Sequence, residues 1–425
     1  MTLTETLRIE KENIQKKEIL TDEDKNILEL IDKKLATTEE ELTKYLTLEE
    51  LSEILGLTIK RDKTNKIITF LCMLSAYTED SQFNISFRAP SSTGKSYIPM
   101  EIANLFPKED VKEIAYASPT SFYHDGEWDM ENKVLRMDLE RKILIFVDQP
   151  HDILLQRLRP LLSHDEKELT YKITDKKEKY GLRTKTVIIR GYPSVIFCTS
   201  SFRLDEQEST RNILLSPETT QDKLKESVIL KIKKMTNEQE FKEWLEKDLR
   251  RLILKERIKH IKEIGIKQIV IPQSERILEK FISRKLKPRD SRDAGKLISI
   301  IKSLALLNLW RRKNSSNGKI IASDEDVDNG FKLWNEVAKA QELGVSPYIL
   351  QIYEEVVKPI ANDGISRKDI LKNYYNVYGR SLPDWQLRQE IIPALETAGL
   401  IYQEQDLNDK RKTLIFNTTT PSDST

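Results

Sequence analysis

The sequence predicts an α/β protein. A parallel sheet is built around a P-loop, with a short helical N-terminus, a helical lid and a C-terminal winged helix. Three observations carry this. Ile85-Ser86-Phe87-Arg88 reads as a strand running into Ala89-Pro90-Ser91-Ser92-Thr93-Gly94-Lys95-Ser96. Backbone N–H groups of such a loop converge and hold phosphates, the lysine reaches the β- and γ-phosphates, and the serine hydroxyl takes Mg²⁺. Ile143-Leu144-Ile145-Phe146-Val147 is an unbroken apolar run, the pattern of a fully buried parallel strand, and it ends in Asp148. From Ser346 the chain reads helix, turn, helix, turn, helix, hairpin.

The match to G-x-x-x-x-G-K-[ST] is one residue short. Ala89, followed by Pro90, stands where the first glycine belongs. An Asp-ended strand downstream makes a chance Gly-Lys-Ser a poor explanation, because such a carboxylate lies against the Mg²⁺ shell in P-loop ATPases.

The totals set the frame. The 425 residues suffice for two to four domains. Seventy Lys+Arg balance 69 Asp+Glu, so any nucleic-acid surface must be local. The two cysteines, Cys72 and Cys198, sit in apolar runs and read as buried free thiols of an intracellular chain. The four histidines lack metal-ligand spacing, which argues against zinc. No signal-peptide core and no membrane-length apolar run is present, and a cytoplasmic location is expected.

In order, residues 1–48 are expected to be helical, with Ile27, Leu28, Ile31 and Leu35 in one stripe. A solvated helix is the favoured reading, and an arm docked on a neighbouring subunit is the alternative. Residues 49–222 form the α/β core. Leu48–Gly56 is a short helix with a glycine C-cap, and Asn65–Tyr77 a more buried one. Val111–Ala117 is a second strand, and residues 122–136 a hairpin turning at Asp125-Gly126. Leu154–Leu162 is helical. Residues 169–190 alternate apolar and polar on both sides of a basic tip, Lys176, Lys177, Lys179 and Tyr180, as a β-hairpin does. Its lysines suit backbone phosphates and its tyrosine a stacked base, although a solvated tip is the plainer reading. Ser194–Ser201 is a buried strand with a polar end, and Ile213–Leu215 closes the sheet.

Residues 223–340 read as an all-helical domain. Phe241, Trp244, Leu245, Leu249 and Leu252 repeat at helical spacing, as do Leu297, Ile298, Ile301 and Leu304. Residues 341–417 give the winged helix, with helices at Pro347–Val357, after Ile365 and at Asp384–Ala398, then strands around 408–412. Arg388 on the third helix and Lys410, Arg411 and Lys412 on the wing would contact duplex DNA, though such modules also dock proteins. The Thr/Ser/Pro/Asp tail, 418–425, has the composition of a disordered segment.

In this order the motifs resemble the AAA+ ATPases that carry a hairpin before sensor 1. They are most similar to the minichromosome maintenance (MCM) helicases and their mobile-element or viral relatives, over residues 49–417. The large N-terminal DNA-binding domain of cellular MCM proteins has no counterpart in the 48 residues ahead of the match. The resemblance implies ATP and Mg²⁺ as cofactors and DNA as partner, with a homo-oligomeric, hexameric ring. Residues 90–96 would hold the nucleotide, with Gly94, Lys95 and Ser96 ending Walker A. Asp148 would be the Walker B aspartate and share Mg²⁺ with Ser96. Thr199 or Ser200 would be sensor 1, Arg211 the arginine finger given to a neighbour, and Arg292 the sensor 2 arginine. The Lys176–Tyr180 hairpin would face the pore.

The chain departs from the family at Gln149, where Walker B normally has a glutamate. An amide cannot act as a base, so hydrolysis would be slow or would use another carboxylate, such as Asp152. An origin-recognition type replication initiator is the first rival, and a chaperone-like AAA+ remodeller the second.

Overall fold

A computed structural model describes residues 3–16, 21–115, 126–175, 183–202, 210–315, 318–406 and 412–418. The first nine strands, in chain order, are β1 (Asn84–Arg88), β2 (Val111–Ile114), β3 (Glu127–Asp129), β4 (Val134–Asp138), β5 (Ile143–Phe146), β6 (Glu168–Asp175), β7 (Arg183–Arg190), β8 (Ser194–Thr199) and β9 (Asn212–Leu215). Five of them form a parallel sheet in the order β2-β5-β8-β1-β9. The fold is therefore α/β with a parallel central sheet.

Strands β5, β8, β1 and β9 are buried on both faces, while β2 is a partly exposed edge, and side-chain alternation sends successive residues to opposite sides. Ile85, Phe87, Ile143, Ile145, Ile196 and Cys198 join one core with the helices Lys63–Ser75 and Tyr97–Ala103. Leu144, Phe146, Val195 and Phe197 join a second core with the helix Asp152–Leu162. β1 leads away toward the β2 edge, whereas β8 leads past β1 to β9. Neighbouring strands whose connections diverge open a crevice at their carboxyl ends, where α/β proteins take ligands.

The two hairpins of the sequence reading merge into one four-stranded sheet, β3-β4-β7-β6, through parallel pairing of β4 with β7. Its buried face, including Met137, Leu169, Val187 and Ile189, rests on the second core. The first hairpin turns at Met130–Lys133 and not at Asp125-Gly126. Asp129 Oδ1 accepts from the Glu131 and Asn132 amides at 3.0 and 3.1 Å, and Lys133 takes φ +53°. An Asp side chain binding backbone two residues on supplies a turn without glycine.

Three further expectations are corrected. Gly56 lies inside the helix Leu48–Gly56 and is not a left-handed cap; a Cβ there would sit 3.3 Å from Lys66 Nζ, so the glycine admits that lysine. Residues 223–340 are not all helical. β10 (Gln268–Val270), β11 (Lys313–Ser315) and β12 (Lys319–Ile321) form a small sheet, and Asp248 breaks the 241–252 stripe into two helices. The N-terminal helices Leu3–Gln15 and Asp22–Thr43 are not solvated rods. They pack on each other and on Leu249–Ile264 with Leu7, Ile31 and Leu42 buried, and Arg257 holds the Glu41 and Lys44 carbonyls.

Residues 347–417 pack helices Pro347–Ile352, Arg367–Tyr378 and Ile392–Thr397 against the hairpin β13 (Ile401–Gln405) and β14 (Thr413–Asn417), with Ile365 bridging to Ile415. No helix among the described residues is long and apolar enough to cross a membrane.

Candidate nucleotide-binding site

β1 and β8 end level with one another, since Arg88 pairs with Thr199, and β5 ends two residues earlier, with Phe146 opposite Phe197, so that Asp148 follows it near the level of Thr199. The loop after β1, the Asp148-Gln149 pair after β5 and the Thr199-Ser200 end of β8 therefore meet at one edge of the sheet. Within the loop, Thr93 is buried and its hydroxyl donates to the Pro90 carbonyl at 2.9 Å. Ser91 and Ser92 are exposed, and Ser92 takes φ +65°. Gly94 takes φ +94°, a conformation strained for any residue with a Cβ, which is why glycine is needed there although the space around it is open. The Lys95 carbonyl accepts from the Cys198 thiol at 3.4 Å. Burial pushes that thiol up to about 12, so Cys198 is a neutral packing group and not a nucleophile.

The Ser96 hydroxyl lies 3.5 Å from the Val147 carbonyl, next to Asp148. A hydroxyl and an exposed carboxylate are hard oxygen donors of the kind Mg²⁺ takes, with phosphates and waters supplying the rest. Among the described residues, no group of three or more acidic, His or Cys side chains could hold a metal ion by itself. Gln149 is fixed from the neighbouring strand: Thr199 Oγ1 donates to Gln149 Oε1 at 2.9 Å and accepts from the Ser201 amide at 3.1 Å. That leaves the amide NH₂ as the side chain's donor group. Ser200 is exposed. Asp152 opens the following helix, and its side chain lies outside the described residues.

Beside the loop is a cavity of about 510 Å³ that sequence reasoning missed. Thr58, Ile59 and Gly94 line one side, and Leu224, Leu230 and Lys234 of the helix Gln221–Thr236 the other. A mostly apolar slot with a few polar groups suits a planar base. Two ion pairs pin the helix over it, a buried one between Lys223 and Asp62 and one between Lys234 and Glu101 at 3.0 Å. The only local signal was Arg61-Asp62, which turns through positive φ.

Comparison of the chain with models of known protein families and with curated proteins finds no match to either.

The remaining candidates lie elsewhere. Asn212 pairs with Asn84 at the opposite end of β1, so Arg211 stands at the other edge of the sheet, ~16 Å away at the usual strand rise. Its Nε donates to Ser163 Oγ at 2.5 Å. Arg292, in the first turn of the helix Asp290–Leu307, is on this edge too and donates to Thr210 Oγ1. Both border a cavity of about 440 Å³ that Lys296, Lys302, His164 and Asp80 also line. The seam joining the two edges under the sheet holds only about 30 Å³, room for a water or two and no phosphate. Arg211 and Arg292 are thus together, and neither is with Lys95.

The basic hairpin is β6 against β7, paired from Glu168–Arg190 to Asp175–Arg183. Its tip residues Lys176, Lys177, Lys179 and Tyr180 lie outside the described residues, as do Lys410 and Arg411. Arg388 and Lys412 are described and exposed. Sequence reasoning also missed how the C-terminal helices dock. Phe202 stacks on Tyr348 at 5.2 Å, Ser201 Oγ donates to Glu390 at 3.4 Å, and Ser216 Oγ links the Arg88 carbonyl to the Tyr348 amide.

Two buried lysines give a pH prediction. Lys66, bonded to the Ile59 carbonyl beneath the cavity, is pushed down to about 8 by burial, partly offset by Asp62. Lys296 is likewise pushed down to about 8 by burial. Between pH 8 and the unfolded lysine value, the unfolded chain binds more protons at these two positions, so their contribution to stability rises with pH. The buried Cys72, Cys198 and Tyr77 are pushed up and pull the other way as they ionise in the unfolded chain, so the test is a difference: the denaturation midpoint of wild type relative to Lys66→Met should increase from pH 8 to 10. A relative midpoint that falls over that window contradicts the assignment.

Proposed function

We propose that this protein is an Mg²⁺-dependent ATPase whose site is completed by a second copy, acting as an MCM-like AAA+ DNA helicase or translocase in a hexameric ring. One observation carries the reading. The loop of Gly94, Lys95 and Ser96 meets Asp148, Gln149 and Thr199 at one sheet edge, while Arg211 and Arg292 sit at the other.

In this reading the adenine lies in the slot under Gln221–Thr236, and the loop amides hold the phosphates. Lys95 neutralises the β- and γ-phosphates. Ser96 and Asp148 hold Mg²⁺, which offsets charge developing on the transferred phosphoryl group. Thr199 and Gln149 position the attacking water, and Arg211 and Arg292 of the neighbouring copy approach the γ-phosphate. Residues 223–340 act as the lid. The C-terminal unit is a winged helix that presents Arg388 and Lys412 to duplex DNA. Its packing on Ser201 and Phe202 places it one peptide from the sensor residues, a short route from nucleotide state to DNA contact.

Gln149 favours a second reading, an initiator that switches on ATP binding and hydrolyses slowly. A forked-duplex assay separates the two. The helicase reading expects strand displacement with ATP and Mg²⁺, and Lys177→Ala with Lys179→Ala should reduce it at least ~10-fold through lost phosphate contacts while leaving ATP affinity unchanged. DNA binding without displacement supports the switch. Neither DNA binding nor displacement favours a protein remodeller.

A further inference from the structure

The cavity beside the loop is bordered by a turn of two left-handed residues, neither of them glycine. Arg61 and Asp62 take φ +54° and +48°, consecutive positions that a side chain resists. Backbone in such a state persists only where its surroundings over-determine it, and it clusters where ligands are clamped. Here the surroundings are explicit. Asp62 is fully buried and lines the cavity. Its Oδ1 accepts from Asn65 Nδ2 and from the Glu218 amide, both at 2.8 Å, and its carboxylate pairs with buried Lys223. Asn65 Nδ2 also donates to the Ser216 carbonyl at 2.8 Å. Arg61 pairs with Glu226 at 2.8 Å. The Arg61-Asp62 turn is thereby fastened to the chain on both sides of the start of the helix Gln221–Thr236.

That helix is tied at each end. Lys223 lies in its first turn and is held by Asp62, and Lys234 lies in its last turn and is held by Glu101, on the helix that follows the loop. Tyr97, on the same helix as Glu101, donates its hydroxyl to the Thr58 carbonyl at 3.0 Å. The cavity enclosed by these ties is faced by Ile59, Ile98, Leu224, Leu230 and Met235. The charges of Asp62 and Lys223 are matched to each other, as burial requires. They fix the spacing of the walls and leave the apolar faces to grip a flat ring by shape.

We propose that Asp62 is a positioning residue of the nucleotide site. Through Lys223 and the Glu218 amide it sets the width of the slot, and with it the part of the affinity that depends on the nucleoside. The phosphates fall to the Gly94–Ser96 loop, a separate element. Losing the Asp62 tie therefore weakens the binding of a nucleoside triphosphate and spares inorganic tripolyphosphate. The proposal rests on the nucleotide reading above and gives a task to residues outside the loop and the sheet edge.

The test titrates full-length wild type, Lys223→Met and Asp62→Asn with ATP and with inorganic tripolyphosphate, each with Mg²⁺, by calorimetry. Lys223→Met removes the tie and fills its space with an unbranched apolar side chain. Asp62→Asn keeps an oxygen for the Asn65 and Glu218 donors and suits left-handed backbone. In both variants the Kd for ATP should rise at least ~10-fold, the scale of a lost apolar contact in a pocket, with the Kd for tripolyphosphate within about two-fold of wild type. A weakening of both ligands together, as a general loss of structure gives, overturns the proposal, and so does no change in either. Hydrogen exchange on wild type needs no variant. ATP should slow exchange of the Glu218 amide and of the amides of Gln221–Thr236, and tripolyphosphate should not. Equal protection by the two ligands also overturns the proposal. Wild type that binds neither ligand overturns the nucleotide reading itself, whereas wild type that binds both, with unmoved variants, overturns the Asp62 assignment alone.

Discussion

Replacing Arg211 with alanine is expected to lower ATP turnover by ~10³–10⁵-fold while leaving ATP affinity within a few-fold of wild type. The asymmetry follows from position. Arg211 precedes β9 at the edge where Asn212 pairs with Asn84, whereas Lys95 follows β1 at the other end of the same strand. On the proposed reading its guanidinium acts on the charge that develops in the neighbouring copy's site and not on ATP held by its own chain. Arg211→Lys should recover only part of the loss, since an ammonium lacks the planar fork that grips phosphate. Mixing decides the point. Lys95→Ala subunits have an intact arginine edge and Arg211→Ala subunits an intact loop, so a mixture should hydrolyse ATP when neither parent does. An Arg211→Ala protein that loses ATP binding as a monomer would place the arginine in its own site and refute the divided arrangement.

The parts legible in the sequence are those whose physics is local. A buried parallel strand must be apolar on both faces, so Ile143–Val147 announces itself, and a loop that needs positive φ announces itself through Gly94. The helix starts at Ser323 and Ser366 are legible for the same reason, since each is followed three residues later by an aspartate that closes a capping box. The illegible parts depend on tertiary contact. Nothing near Leu135 or Val187 says that two hairpins will pair through them. Gly56 looks like a C-cap until Lys66 is placed against it. The slot beside the loop is built from Thr58–Asp62 and Lys223–Met235, far apart in sequence and joined by the Asp62–Lys223 pair. The small β10–β12 sheet has three-residue strands, too short to leave a period-2 pattern. Arg292 was legible as a helix-start arginine, but only the packing of Asp290–Leu307 beside Thr210 puts it with Arg211.

Gln149→Glu is expected to raise ATP turnover by ~10²-fold or more, because a positioned general base contributes ~10²–10⁴ in rate. The geometry favours a gain over a disruption. Thr199 Oγ1 already donates to the side-chain oxygen of residue 149, and a carboxylate accepts that bond at least as well as an amide. The new carboxylate would sit beside Asp148, and a like charge so close raises its proton affinity toward what a base needs at neutral pH. The bond from Thr199 leaves the second carboxylate oxygen for water, where the amide offers only N–H donors. The outcome separates the two readings of the protein. If turnover rises with strand displacement unchanged, slow hydrolysis is built in and ATP acts through binding. If both rise together, the native chain is a motor limited by its chemical step. If turnover is unmoved, the proton leaves through another group, and Asp152, which opens the next helix, is the carboxylate to replace first.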